Sequence, residues 1–179
     1  HGQHPRCDPL PEDAEERGVL ITMVTIKNIF DRAVSEELIE RIERITPATP
    51  PQWGKMNAAQ MLAHCSKPYD TLYDAEYQKR YEPHTGFMRF LLNLLVKPLV
   101  VGPKPYKPNT NTAPSYMVKD ERELATERAK LIGYLNKVQA LGRSEFEGKL
   151  SYSFGPLTAD QWNTLFYKHL DHHLRQFGV

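Results

Sequence analysis

TADQWNTLFYKHLDHHLRQFGV, Thr158 to Val179, is the stretch whose reading decides the fold. Thr158 and Gln161 have the spacing of a capping box, in which two side chains satisfy each other's backbone donors at a helix start. Gly178 supplies the stop. At about 100° per residue, Phe166, His169, His173 and Phe177 fall within roughly 60° of Trp162, with Leu165 and Gln176 on the same side. His172 lies roughly 80° away, on the flank, and Asp171 points away from this face. The stretch predicts a closing amphipathic helix to about Phe177, with two imidazoles one turn apart on its apolar face.

Two imidazoles on a core-facing stripe are costly to bury without partners. Two readings compete. The rings are polar residues satisfied inside the core, or they are ligands of one ion, because neutral imidazole donates a lone pair and the i,i+4 spacing converges both rings. An ion needs a third ligand from another helix. His1 and His4 lie in the N-terminal tail, and YEPHTG puts His84 in a loop. His64, in MLAHCSKP, sits within a helical pattern marked by Met61, Leu62, Cys65 and Leu72, and is the candidate third ligand. Its plainer reading is a satisfied polar residue on a helix flank. Cys65 reads as a small core hydrophobe.

Helix signals recur upstream, while strand signals are nearly absent. In NIFDRAVSEELIERIERI, Phe30, Ala33, Val34, Leu38, Ile42 and Ile45 recur at spacings of three and four, with Asn28 or Asp31 as cap. TPATPP, Thr46–Pro51, ends that helix. MNAAQ opens the next, with Asn57 and Gln60 as capping box, and it runs to about Ala75. Pro68 inside it predicts a kink one turn after His64. FMRFLLNLLV, Phe87–Val96, reads as a short buried or half-buried helix. The proline-rich run from Pro98 to Pro114 follows as a stiff crossover. Asp120 to Leu141 is the next helix, marked by Leu124, Leu131, Leu135 and Val138 and stopped by Gly142. LSYSF, Leu150–Phe154, alternates as a short extended stretch would. Four amphipathic helices bury their stripes best as a bundle. The expected fold is all-α, a four-helix bundle with a short extra helix in its crossover.

The 179 residues fit one domain. The 23 basic and 22 acidic residues leave a net charge of +1, which gives no case for nucleic acid or a membrane as partner. No apolar run is long enough to span a bilayer. Two cysteines, Cys7 and Cys65, make no disulfide framework and point to a reducing, cytoplasmic setting. Residues 1–22 are polar and proline-bearing and lack the apolar core of a signal peptide. They read as a disordered or appended extension, with Met23 as the natural start and 23–179 as the domain.

WGKMNAAQMLAHC and the terminus His169-x-x-His172-His173-x-x-Gln176 together resemble the DinB/YfiT-like superfamily. The likeness is to a branch without assigned activity, in which PQWGKMNxAQMLAHC pairs with KHLDHHLRQFGV. It spans about Met23 to Val179. It implies an up-down-down-up four-helix bundle and a metal on His64, His169 and His173, with His172 beside the ligands and Gln176 one turn after the pair. Gln176, Cys65 and His172 are the expected neighbours of the site. Zinc or nickel suits three imidazoles, with iron or manganese as alternatives. Some members of the superfamily look like transferases using bacillithiol, mycothiol or glutathione.

Three functions follow as expectations. The chain is an enzyme activating a thiol or water against a small electrophile, with Trp53, Lys55, Tyr106 and Lys107 near the mouth and no residue identified as general acid or base. It is a non-catalytic metal-binding or structural bundle. Or its histidines bind nothing. A small molecule and a second copy in a homodimer are the expected partners.

Overall fold

The computed structural model describes residues 25–110 and 112–179. The extension expected at 1–22, and Cys7 with it, lies outside the described residues. The regular structure of the described chain is helical apart from one two-stranded ladder, β1 (Leu150–Ser151) against β2 (Gly155–Pro156), antiparallel. LSYSF is therefore extended only at its first two residues. The chain turns back over Tyr152–Phe154 and re-enters the ladder at Gly155, whose φ of +76° suits glycine.

Four long helices share one apolar core. They are α1 (Arg32–Glu43), α2 (Ala58–Tyr73), α6 (Leu124–Leu141) and α7 (Ala159–Gln176). Helix α2 packs along α6 and α7, and α1 packs on the same two. Most of the expected periodic residues are buried, among them Leu38 and Ile42, Met61 and Leu62, Leu131, Leu135 and Val138, Trp162 and Phe166, while Val34 and Leu72 are half-buried and Ala33 is exposed. Tyr69 of α2 stacks on Phe166, with ring centroids 4.5 Å apart. Each large side chain so buried is worth roughly 1.5–3 kcal/mol, against about 1 kcal/mol for a cap. Packing therefore holds the helices, and the caps set where they begin.

Both capping boxes form. Asn57 and Gln60 exchange side-chain and backbone bonds at the start of α2, and Thr158 and Gln161 do so at α7. Helix α1 begins later than its apolar pattern. Asp31 is its N-cap residue without a side-chain cap bond, while Asn28 donates to the Asp31 carboxylate at 2.7 Å. Helix α6 takes its cap from Glu123, whose carboxylate accepts from the N–H groups of Ala125 and Thr126. Gly142, at φ +74°, ends it as expected. Helix α2 continues through Pro68 to Tyr73. The chain breaks at Asp74, in extended backbone, whose carboxylate caps α3 (Ala75–Arg80).

The crossover differs most from expectation. Helices α4 (Gly86–Leu91) and α5 (Lys97–Val101) are joined by a π-helical turn, Leu92–Val96, into one continuous arm. Pro98 has no N–H to give the carbonyl of Leu94. The ladder widens there, and the Lys97 N–H bonds the Leu92 carbonyl five residues back. Leu92, Val96, Val100 and Val101 pack on the core. Phe87, Met88, Phe90, Leu94 and Leu95, expected buried or half-buried, are exposed. Arm α5 lies along α7. A single helix of apolar residues on several sides can turn only one of them to its neighbour. Among the described residues, no helix is long and apolar enough to cross a membrane.

Candidate metal centre

The rotation of α7 about its axis is fixed from its far side. The Asn163 side chain accepts the Ile29 N–H at 2.7 Å and donates to the Lys27 carbonyl at 3.2 Å. Asp171 does point away from the histidine face, but into protein rather than solvent: it pairs with Arg41 of α1 at 2.9 Å, with both groups largely buried. Both contacts tie α7 to α1 and the segment before it. His169 and His173, on the other side, turn towards α2.

There they meet His64. The three rings lie with centroids 4.6–4.9 Å apart, His64 to His173 being the closest pair. One ligand atom from each lies within 4.8 Å of the others, and the Nε2 atoms of His64 and His169 are 2.9 Å apart. Donors about 2.0–2.1 Å from one tetrahedral ion stand roughly 3.4 Å from each other. The observed spacings bracket that value, so ring rotations would complete the geometry.

Two rings are held in a defined tautomer from behind. Nδ1 of His64 donates to the Tyr116 carbonyl at 2.9 Å. Nδ1 of His173 donates to the Gln176 side-chain oxygen at 2.7 Å, and the Gln176 amide donates to the Trp53 carbonyl at 2.6 Å. That second bond fixes which end of the amide faces His173, since a carbonyl only accepts. In both rings Nδ1 keeps the proton and Nε2 keeps the lone pair. Such outer bonds are the usual support of a metal-binding imidazole.

Burial also keeps the rings neutral. It pushes the His64 pKa down, with the Tyr116 carbonyl opposing. It pushes His173 down to about 3, with His64 adding to the effect and Gln176 opposing. His169 is held well below its ordinary value by burial first and by the other three imidazoles second. At neutral pH the cluster is three uncharged nitrogen donors with no carboxylate among them. That donor set fits a borderline divalent ion such as zinc or nickel.

No family model, curated protein or solved structure matches this chain.

The remaining expected residues divide. His172 stands half-buried on the flank, its ring 5.0 Å from that of His173 and 5.5 Å from Tyr106. Trp53 lies 5.7 Å from His172 on another side. Trp53 and Tyr106 thus both pack against His172 on the flank of the cluster. Cys65 does not reach the cluster. Its Sγ lies 3.5 Å from the Met61 sulfur in the core, and burial pushes its thiol far up. Lys55, Lys107 and His84 are exposed.

Three contributors were not singled out from the sequence. The Tyr116 carbonyl belongs to a 3₁₀ turn, Pro114–Tyr116, and a backbone acceptor leaves no mark in residue identity. Gly54 has φ +85°, and a Cβ there would sit 2.5 Å from the Gln176 amide nitrogen, so glycine is required beside Trp53. Lys168, only 1% exposed, sends its ammonium to the carbonyls of Leu99, Gly102 and Lys104 at 2.7, 2.6 and 3.1 Å. Its ammonium also stands 4.5 Å from the centre of the Tyr106 ring. A lysine on a buried helix face was the available signal for Lys168.

Proposed function

We propose that this chain is a divalent-metal-binding bundle of the DinB/YfiT-like kind, with His64, His169 and His173 as ligands. In this reading it is an enzyme that activates a low-molecular-weight thiol or water against a small electrophile. The observation that carries the reading is the convergence of three neutral imidazoles from α2 and α7, two with Nδ1 bonded so that Nε2 is the donor. Supporting the fold type are four long helices on one core and a crossover from Ala75 to Glu123 long enough to let α2 and α6 run parallel.

A divalent ion held by His64, His169 and His173 would keep its full charge and would supply Lewis-acid chemistry towards water or a thiol. The chain's own residues do the rest. Tyr116 and Gln176 hold His64 and His173 in orientation. Trp53 and Tyr106 pack against His172 on the flank of the cluster. Zinc and nickel are the ions this donor set favours.

Elemental analysis of the full chain after extensive dialysis tests the metal reading. The wild type should retain about one divalent ion per chain, and His173→Ala should lose most of it. A wild type that is metal-free and takes up neither zinc nor nickel overturns the reading. Turnover of small electrophiles with bacillithiol, mycothiol or glutathione tests the enzyme. If none is turned over while the ion binds, the ion is a brace between α2 and α7. The bridging of two helices by the three rings favours that second reading.

A further inference from the structure

The arm Gly86–Val101 carries apolar residues on more than one side. Leu92, Val96, Val100 and Val101 face the core, with Asn93 beside them, while Arg89 is exposed. Asn93 donates to the Phe154 carbonyl at 3.1 Å, and the Arg89 stem lies 3.5 Å from where a Cβ on Gly155 would stand. Its other large apolar residues face out. Phe87, Met88, Phe90, Leu94, Leu95 and Leu99 are 52–74% exposed among the described residues. Together they present on the order of 600 Å² of apolar side chain, at the upper end of the largest patch on an ordinary monomer. An outward stripe of phenylalanine and leucine asks for a cover.

The charge of the segment Pro83–Lys119, which carries the stripe, says what covers it. From Pro83 to Lys119 the sequence holds five cationic residues, Arg89, Lys97, Lys104, Lys107 and Lys119, and not one aspartate or glutamate. The rest of the chain holds 18 cationic residues against 22 acidic ones. The net charge near zero thus conceals a segment that is wholly basic. A second copy docked face to face would bring two such segments together without a carboxylate from either. Exposed phenylalanine and leucine among lysine and arginine match the interface of an anionic bilayer, where apolar side chains enter the acyl boundary and cations meet lipid phosphates.

We propose that the arm Gly86–Val101 docks the protein reversibly on anionic lipid surfaces, through Phe87, Phe90, Leu94, Leu95 and Leu99, with Arg89, Lys97, Lys104 and Lys107 beside the headgroups. The stripe lies flat on the surface and does not span it. This proposal stands independently of the metal centre.

Vesicle flotation with the full chain tests it. Vesicles of neutral phosphatidylcholine are compared with vesicles containing a third phosphatidylglycerol, at low and raised salt. The wild type should float with the anionic vesicles, and raised salt should weaken this. Each cation removed, as in Lys104→Ser or Lys107→Ser, should weaken binding roughly fivefold. Phe87→Gln/Phe90→Gln/Leu95→Gln should abolish it, with thermal melting and metal content as for wild type because all three side chains are exposed. No flotation of wild type with anionic vesicles overturns the proposal, and so does equal flotation of the triple variant. A dimer in sedimentation velocity that the triple variant dissociates, without lipid binding, assigns the face to a second copy and also overturns it.

Discussion

Gln176 does its work through two bonds. Its side-chain oxygen accepts from the His173 Nδ1–H and its amide donates to the Trp53 carbonyl, while its own backbone carbonyl accepts the Gln52 N–H at 2.7 Å. Gln176→Leu leaves His173 without the partner that fixes its tautomer. Losing an outer-shell partner of this kind typically weakens metal binding by about 10–100-fold. Competition against a chromophoric chelator should show that loss for zinc, with circular dichroism unchanged. Zinc affinity equal to wild type would mean that His173 needs no such support. The sequence put Gln176 on the histidine side of α7, because helical spacing fixes direction. It did not show that the PQWG segment folds back onto it, since that contact joins residues 123 positions apart.

Helix α5 and the loop after it hang on Lys168. Three carbonyls at the end of the arm accept from one ammonium, which has three N–H groups to give. Burial lowers the Lys168 pKa to about 8, so the ammonium is still the main form at neutral pH. Lys168→Met keeps the stem but leaves the three carbonyls without that donor. Each unsatisfied buried group costs about 1–3 kcal/mol, and water can recover part of it at the loop. The expected destabilisation is about 3 kcal/mol in urea unfolding. Faster amide exchange should be confined to residues 97–107, with α2 and α6 still protected. Uniform loss of protection would place Lys168 in the global core instead. The arm was legible as helix over Phe87–Val96, from its apolar run, whereas Pro98–Val101 read as irregular crossover and is helical. Its π turn follows from Pro98, but its outward face does not follow from hydropathy, which counts apolar residues without saying which side is covered.

For the whole molecule, the buried histidines set an acid limit. In the unfolded chain an imidazole titrates near about 6.5. Here burial holds the pKa values of His64, His169 and His173 below that. The unfolded state then binds more protons as pH falls, so their contribution is intact above about pH 6.5 and is lost progressively towards the His173 value of about 3. Urea unfolding in the presence of a chelator should therefore show stability falling from about pH 6.5 to 5, before most carboxylates titrate. His169→Leu/His173→Leu should flatten that slope. A slope unchanged in the double variant would mean that these rings titrate freely in the fold. Adding zinc to wild type should raise stability on both sides of about pH 6.5, because burial keeps the folded rings neutral below that value.

Residue order alone determined the long helices, their two capping boxes, the buried stripes, and the direction in which His169 and His173 point. Those are local consequences of a 3.6-residue period and of side chains that compete for backbone donors. Tertiary structure decided the rest. It brought His64 to the pair across 105 positions, supplied the Tyr116 and Trp53 carbonyls, and sent Lys168 to the arm. It also left six large apolar side chains facing out beside a carboxylate-free segment. Pairing between distant segments depends on how helices rotate and pack against one another, and that geometry is a property of the folded chain.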